Sequence, residues 1–114
     1  MLAFSVALSL AGFSQAKKPV TVKIQTPGVQ CAECKVRVED YLKFEEGIAK
    51  VVAYPQSRSV TVTYLPDRTN IENIKTAIAN VGYDADDVTA NEDSYKRLPK
   101  QCKKPEDGGH KKRQ

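Results

Sequence analysis

The chain has 114 residues, room for a single domain, and its 40% hydrophobic and 28% charged residues exclude a wholly disordered polymer. One His and three Cys exclude any metal centre built on several His. The net charge of +4 belongs mostly to the C-terminus: residues 103–114 carry five basic against two acidic side chains and residues 17–102 carry 13 against 12, a near-neutral balance that weakens a nucleic-acid reading, which wants a basic face on the fold.

Leu2 to Phe13 is apolar or small throughout, and shorter than the roughly 20 residues that span a bilayer as a helix. Ser14-Gln15-Ala16 follows, with small residues at its first and third places. This is the pattern of a signal-peptidase site, so residues 1–16 are expected to form a signal peptide cut after Ala16. Met1 leads straight into the apolar run without a positive n-region; the true start lies upstream or the signal is weak. A buried apolar N-terminal helix or strand is the competing reading. Export, to the periplasm in a Gram-negative source, would put a CxxC pair in an oxidising compartment.

Val20, Val22 and Ile24 alternate with Thr21, Lys23 and Gln25, which predicts a half-buried strand. Pro27-Gly28 ends it, and residues 26–30 read as a loop. From Cys31 a helical period takes over. Cys34, Val38, Tyr41 and Leu42 mark its inner face, while Lys35, Arg37, Glu39, Asp40 and Lys43 mostly face water. Gly47 is the expected stop. Residues 48–54 and 59–64 read as two strands of a hairpin, joined by the turn Pro55-Gln56-Ser57-Arg58. Thr69 and Glu72 have the spacing of a capping box. Ile71, Ile74, Ala77, Ile78 and Val81 then trace an amphipathic helix that Gly82 ends.

Tyr83 to Thr89 is expected to be a short fourth strand, although Asp84, Asp86 and Asp87 are poor strand formers. The order predicts an α+β, ferredoxin-like βαββαβ sandwich, a four-stranded antiparallel sheet with two helices on one face. This domain is assigned to residues 17–89, and residues 90–114 to a C-terminal extension. Tyr95 and Leu98 are its last sizeable apolar side chains, and residues 103–114 read as a basic, disordered tail with a solvated His110.

The chemistry lies in Cys31-Ala32-Glu33-Cys34, placed where a loop gives way to a helix. Residues three apart at a helix start can point the same way. The partial positive charge of the helix N-terminus stabilises thiolate over thiol. Two soft thiolates suit copper(I), zinc(II) or mercury(II), not magnesium or calcium. A closed structural zinc site needs four ligands, and there is no second CxxC. An ion held by two sulfurs stays open to a partner's thiolates, which is the physics of a carrier. A redox dithiol or a structural disulfide uses the same spacing. Against a thioredoxin-like site stand the short topology and the Val29-Gln30 that precede the pair.

The stretch TPGVQCAECKVRVEDYL resembles the loop and first helix of the heavy-metal-associated domain family, which includes copper chaperones, metal-binding modules of P-type ATPases and periplasmic mercury-binding proteins. Gly28, Cys31, Cys34, Val38 and Leu42 match its motif. Gly47-Ile48, the run SVTVTY and Gly82-Tyr83 match later elements, so the resemblance covers about residues 20–88. Val29 stands where the family usually has Met, a core residue under the metal loop, and Gln30 at the variable place before the first Cys.

The resemblance implies that Cys31 and Cys34 carry one soft metal ion. Tyr83 either shields that site or is a plain core aromatic. Cys102, in LPKQCK, is a third ligand folding back on the pair, a free thiol, or half of a disulfide; a ligand role would have Lys100, Lys103 and Lys104 lower its pKa. The expected function is a non-enzymatic carrier that passes its ion to a metal-transporting membrane protein or another metal-binding domain. It would take no nucleic acid and no small-molecule substrate, and act as a monomer or a metal-bridged dimer. The alternatives are an exported thiol–disulfide oxidoreductase using the same CxxC, and an interaction module in which the cysteines are incidental.

Overall fold

A computed structural model describes residues 18–109. The expected signal peptide, its cleavage point and His110 lie outside these residues.

Strand β1 (Val20–Gln25) leads to helix α1 (Ala32–Leu42), strands β2 (Ile48–Tyr54) and β3 (Ser59–Tyr64), and helix α2 (Ile71–Val81). The sheet has three strands in the order β1-β3-β2, both pairs antiparallel. Period-two alternation sends Ile24, Ala53, Val60 and Val62 inward, where they meet Cys34, Val38 and Leu42 of α1 and Ile74, Ala77 and Ile78 of α2. The outer face is polar: Thr21 and Thr63 stand opposite each other and share a hydrogen bond of 2.9 Å. Burying these side chains, at roughly 1.5–3 kcal/mol for a fully covered Val, Leu or Ile, drives the assembly.

The fourth strand is not formed. Residues 83–89 make a turn with an isolated bridge between Ala85 and Val88. The segment does lie beside β1, where Asp86 N donates to Gln25 O and Gln25 N donates to Asp86 Oδ1, both at 2.8 Å. The aspartates explain the difference. Asp84 Oδ1 accepts from Ala90 N, Asp87 pairs with Lys75 of α2, and Asp86 has φ 52°. Each takes a local hydrogen bond or a turn conformation in place of a ladder.

Three smaller expectations are corrected. Tyr41 is 42% exposed, because Cys34, Val38 and Leu42 form a stripe at i, i+4, i+8 and Tyr41 falls on its flank. Helix α1 ends at Leu42, before Gly47. The N-cap of α2 is Asn70, whose Oδ1 accepts from Asn73 N, while Thr69 packs over Gly47.

Lys35 and Glu39 also differ from the expected water-facing role. Glu39 Oε2 accepts from Ala53 N at 2.8 Å and from Lys35 Nζ at 2.6 Å, and Lys35 Nζ donates to Ala53 O at 3.1 Å. The two side chains satisfy the outer edge of β2 as a neighbouring strand would.

The extension is ordered further than its composition suggested. Helix α3 (Glu92–Lys96) is capped by Asn91, whose backbone N–H donates to Ala79 O at the end of α2. Two 3-10 turns follow, Lys100–Cys102 and Pro105–Asp107. Tyr95 organises them: its hydroxyl donates to Asp107 and accepts from Lys104 N. Through Gly109, then, the expected disordered tail is a strap tied to the domain; residues 110–114 lie outside the described residues.

Candidate metal centre

Cys31 is the N-cap of α1, in extended conformation, and its side chain makes no capping bond. Its sulfur is free to face outward. Cys34, one turn on, is fully buried at the head of the apolar stripe. The two sulfurs are 3.5 Å apart. The strap delivers Cys102, 1% exposed, to the same place, and the three sulfurs all lie within 4.8 Å of one another. None is in a disulfide.

Beneath the sulfurs Val29 is fully buried, so it fills the core position expected of it. Tyr83 is 2% exposed, and its ring lies against Gly28: a Cβ there would sit 3.1 Å from Cδ1. Gly28 thus serves close packing of the loop on this ring. The Tyr83 hydroxyl is buried and without a hydrogen-bond partner. The groups that bear on it are the thiols of Cys34 and Cys102.

Burial alone would push the Cys34 thiol up. A backbone hydrogen bond from Gln30, the Tyr83 hydroxyl, and the Cys102 and Cys31 side chains act against it, and the net direction is down. Cys102 goes the other way. Burial and then the neighbouring Cys34 push it up to about 12, with Tyr83 offsetting part of the rise. The adjacent lysines do not lower it as expected: Lys103 and Lys104 hold their ammonium groups 6.0 and 5.8 Å from the Tyr95 ring centroid. Tyr83 is raised, first by burial and then by Cys34.

Two contacts that no sequence pattern announced fix the strap here. Gln30 Nε2 donates to Lys103 O at 3.0 Å, and Gln101 Nε2 donates to Glu33. Leu98 packs on Gly82, whose φ of 120° and 3.1 Å clearance to Leu98 Cγ leave no room for a side chain. The sequence signal was the apolar pair Tyr95 and Leu98 ahead of Cys102. What the arrangement can do follows from its donor set: three sulfurs, no carboxylate and no imidazole among the described residues, with one sulfur reachable from water. That set suits soft ions.

Fold and site together define a small α+β thiol module for soft metals. The heavy-metal-associated domain model matches residues 23–84, over half of the chain, and the chain belongs to that family. It is 28% identical over 82 residues to a copper-exporting P-type ATPase of Staphylococcus epidermidis, and 30% identical over 77 residues to one of Staphylococcus aureus strain Newman. These alignments cover 72% and 68% of this chain but 10% of each ATPase. Among solved structures it is similar to oxidized MerP from Ralstonia metallidurans CH34, with a TM-score of 0.56 and 28% identity over 59% of this chain and 93% of that one. The CopZ metallochaperone gives 0.56 and 26%, over 58% and 98%. Mercury-bound MerP, the periplasmic protein of the bacterial mercury detoxification system, gives 0.53 and 29%, over 60% and 94%.

Proposed function

We propose that this protein carries one soft metal ion, copper(I), mercury(II) or zinc(II), on Cys31 and Cys34 and hands it to a metal-transporting membrane protein or another metal-binding domain. The observation that carries the reading is the pair of free sulfurs 3.5 Å apart at the start of α1, one buried and one reachable. Cys31 meets the ion first. Cys34 follows, its lowered pKa favouring the thiolate that binds. Each thiol releases a proton to solvent as its bond to the ion forms. Hand-over is ligand exchange: a partner's thiolate bonds to the ion through the open side at Cys31, one protein sulfur leaves, and the ion's oxidation state is unchanged.

This makes the protein a carrier rather than a catalyst. The apolar run Leu2–Phe13 and the Ser14-Gln15-Ala16 triplet support export. The similarity to MerP, a periplasmic protein of mercury detoxification, supports the compartment, and that to the CopZ metallochaperone supports the role. Titration of the reduced protein with copper(I), zinc(II) and mercury(II) tests it. One ion per chain is expected, and none in the Cys31→Ala/Cys34→Ala variant. Unchanged uptake by that variant, or turnover of a protein disulfide such as insulin without metal affinity, overturns it.

A further inference from the structure

Cys102 enters the centre from the far end of the chain. It is 1% exposed and reduced, and its sulfur lies within 4.8 Å of the sulfurs of both Cys31 and Cys34. Its position is set by bonds on either side: Gln101 to Glu33 before it, Lys103 O to Gln30 after it, and the Tyr95 hydroxyl joining Lys104 and Asp107 further on. Glu33 lies between the two CxxC cysteines and Gln30 just before them. The strap is therefore tied to the metal loop itself.

A zinc-like metal–sulfur bond of about 2.3 Å puts two sulfurs across a linear ion at about 4.6 Å and three around a planar ion at about 4.0 Å. The observed spread, 3.5 Å for the CxxC pair and at most 4.8 Å for all three, puts Cys102 close enough to share one ion with the pair after a small adjustment. The Tyr83 hydroxyl is buried with no hydrogen-bond partner of its own, and the thiols of Cys34 and Cys102 are the groups that bear on it.

Resting on the reading of Cys31 and Cys34 as the carrying pair, we infer that Cys102 is a third ligand, and that the C-terminal strap is a latch which holds the ion three-coordinate in transit. Release of the latch leaves two of this chain's sulfurs on the ion, the third place passing to the acceptor. In that step the Cys102–metal bond breaks as an incoming thiolate forms its own. The freed Cys102 sulfur takes up a proton, and no electrons are transferred.

The test is X-ray absorption on the full chain loaded anaerobically with one copper(I), paired with the rate of copper loss to a chelating competitor. The expected result is three sulfurs in the unaltered chain and two in Cys102→Ser, with copper lost at least tenfold faster from the variant. Two sulfurs in the unaltered chain, or equal release rates from folded protein, overturns the latch and leaves the carrying pair standing. If Cys102→Ser fails to fold, the count in the unaltered chain decides alone. A Cys31→Ala/Cys34→Ala variant that still holds copper overturns the underlying reading instead.

Discussion

Replacing Glu39 by alanine removes the only side-chain acceptor of Ala53 N among the described residues, on an edge strand whose Ala53 is 1% exposed. A hydrogen bond to a charged group contributes about 1.5–3 kcal/mol, and an orphaned buried N–H costs about 1–3 kcal/mol. Glu39 is 24% exposed, so water recovers part of the loss and the expected destabilisation is about 1–2 kcal/mol. Lys35 loses its carboxylate at the same time and keeps only Ala53 O. With a urea slope of about 1.5 kcal/mol/M, the midpoint should fall by about 1 M, read by far-UV circular dichroism on reduced protein. Glu39→Gln keeps an oxygen for Ala53 N and should lose less than half as much. A Glu39→Ala variant within about 0.5 kcal/mol of the parent, or a glutamine as damaging as alanine, would refute the claim that this carboxylate serves as a strand partner.

Ile78→Ala, at a fully buried position between α2 and the sheet, should cost about 2–4 kcal/mol in the same unfolding assay. Tyr83→Phe removes a buried hydroxyl that has no partner in the metal-free protein, so stability without metal should hold or rise by up to about 1 kcal/mol, as thermal melts would show. The raised Cys102 thiol has a definite sign. Its contribution to the metal-free fold is fully present below the ordinary thiol value of 9.0 and is lost as pH climbs towards about 12, so unfolding free energy should decline across that window more steeply in the parent than in Cys102→Ser. Alkylation followed by mass spectrometry should modify Cys31, the one partly exposed thiol, first and Cys102 last.

The three long strands and both main helices were legible because each carries a clean period: Val60-Val62-Tyr64 at two, Ile71-Ile74-Ile78 at the helical step. The CxxC pair was legible as chemistry because its spacing and its place at a helix start are local facts. Residues 83–89 misled because apolar Tyr83, Ala85 and Val88 resemble an inner face, while the side chains that decide the matter, Asp84, Asp86 and Asp87, find partners in β1, α2 and Ala90. The strap was harder still. Its composition is that of a solvated tail, and what holds it is a handful of long-range polar bonds, Gln30 to Lys103 and Tyr95 to Asp107 among them, plus two apolar side chains. Neither periodicity nor propensity encodes such bonds. The placement of Cys102 beside Cys34 follows from them and from nothing nearer in the sequence.

Roughly 70 residues of chain separate the CxxC pair from Cys102, and nearly the whole domain lies between them. Whatever joins those sulfurs, a metal or a disulfide, therefore acts as a staple across the fold. Closing a loop of that length restricts the unfolded chain by about 4 kcal/mol, comparable to the entire margin of many small domains. With the ion on all three sulfurs, cargo and architecture are coupled: the loaded molecule should resist heat and proteolysis better than the empty one, and its survival becomes a report on whether it is carrying anything.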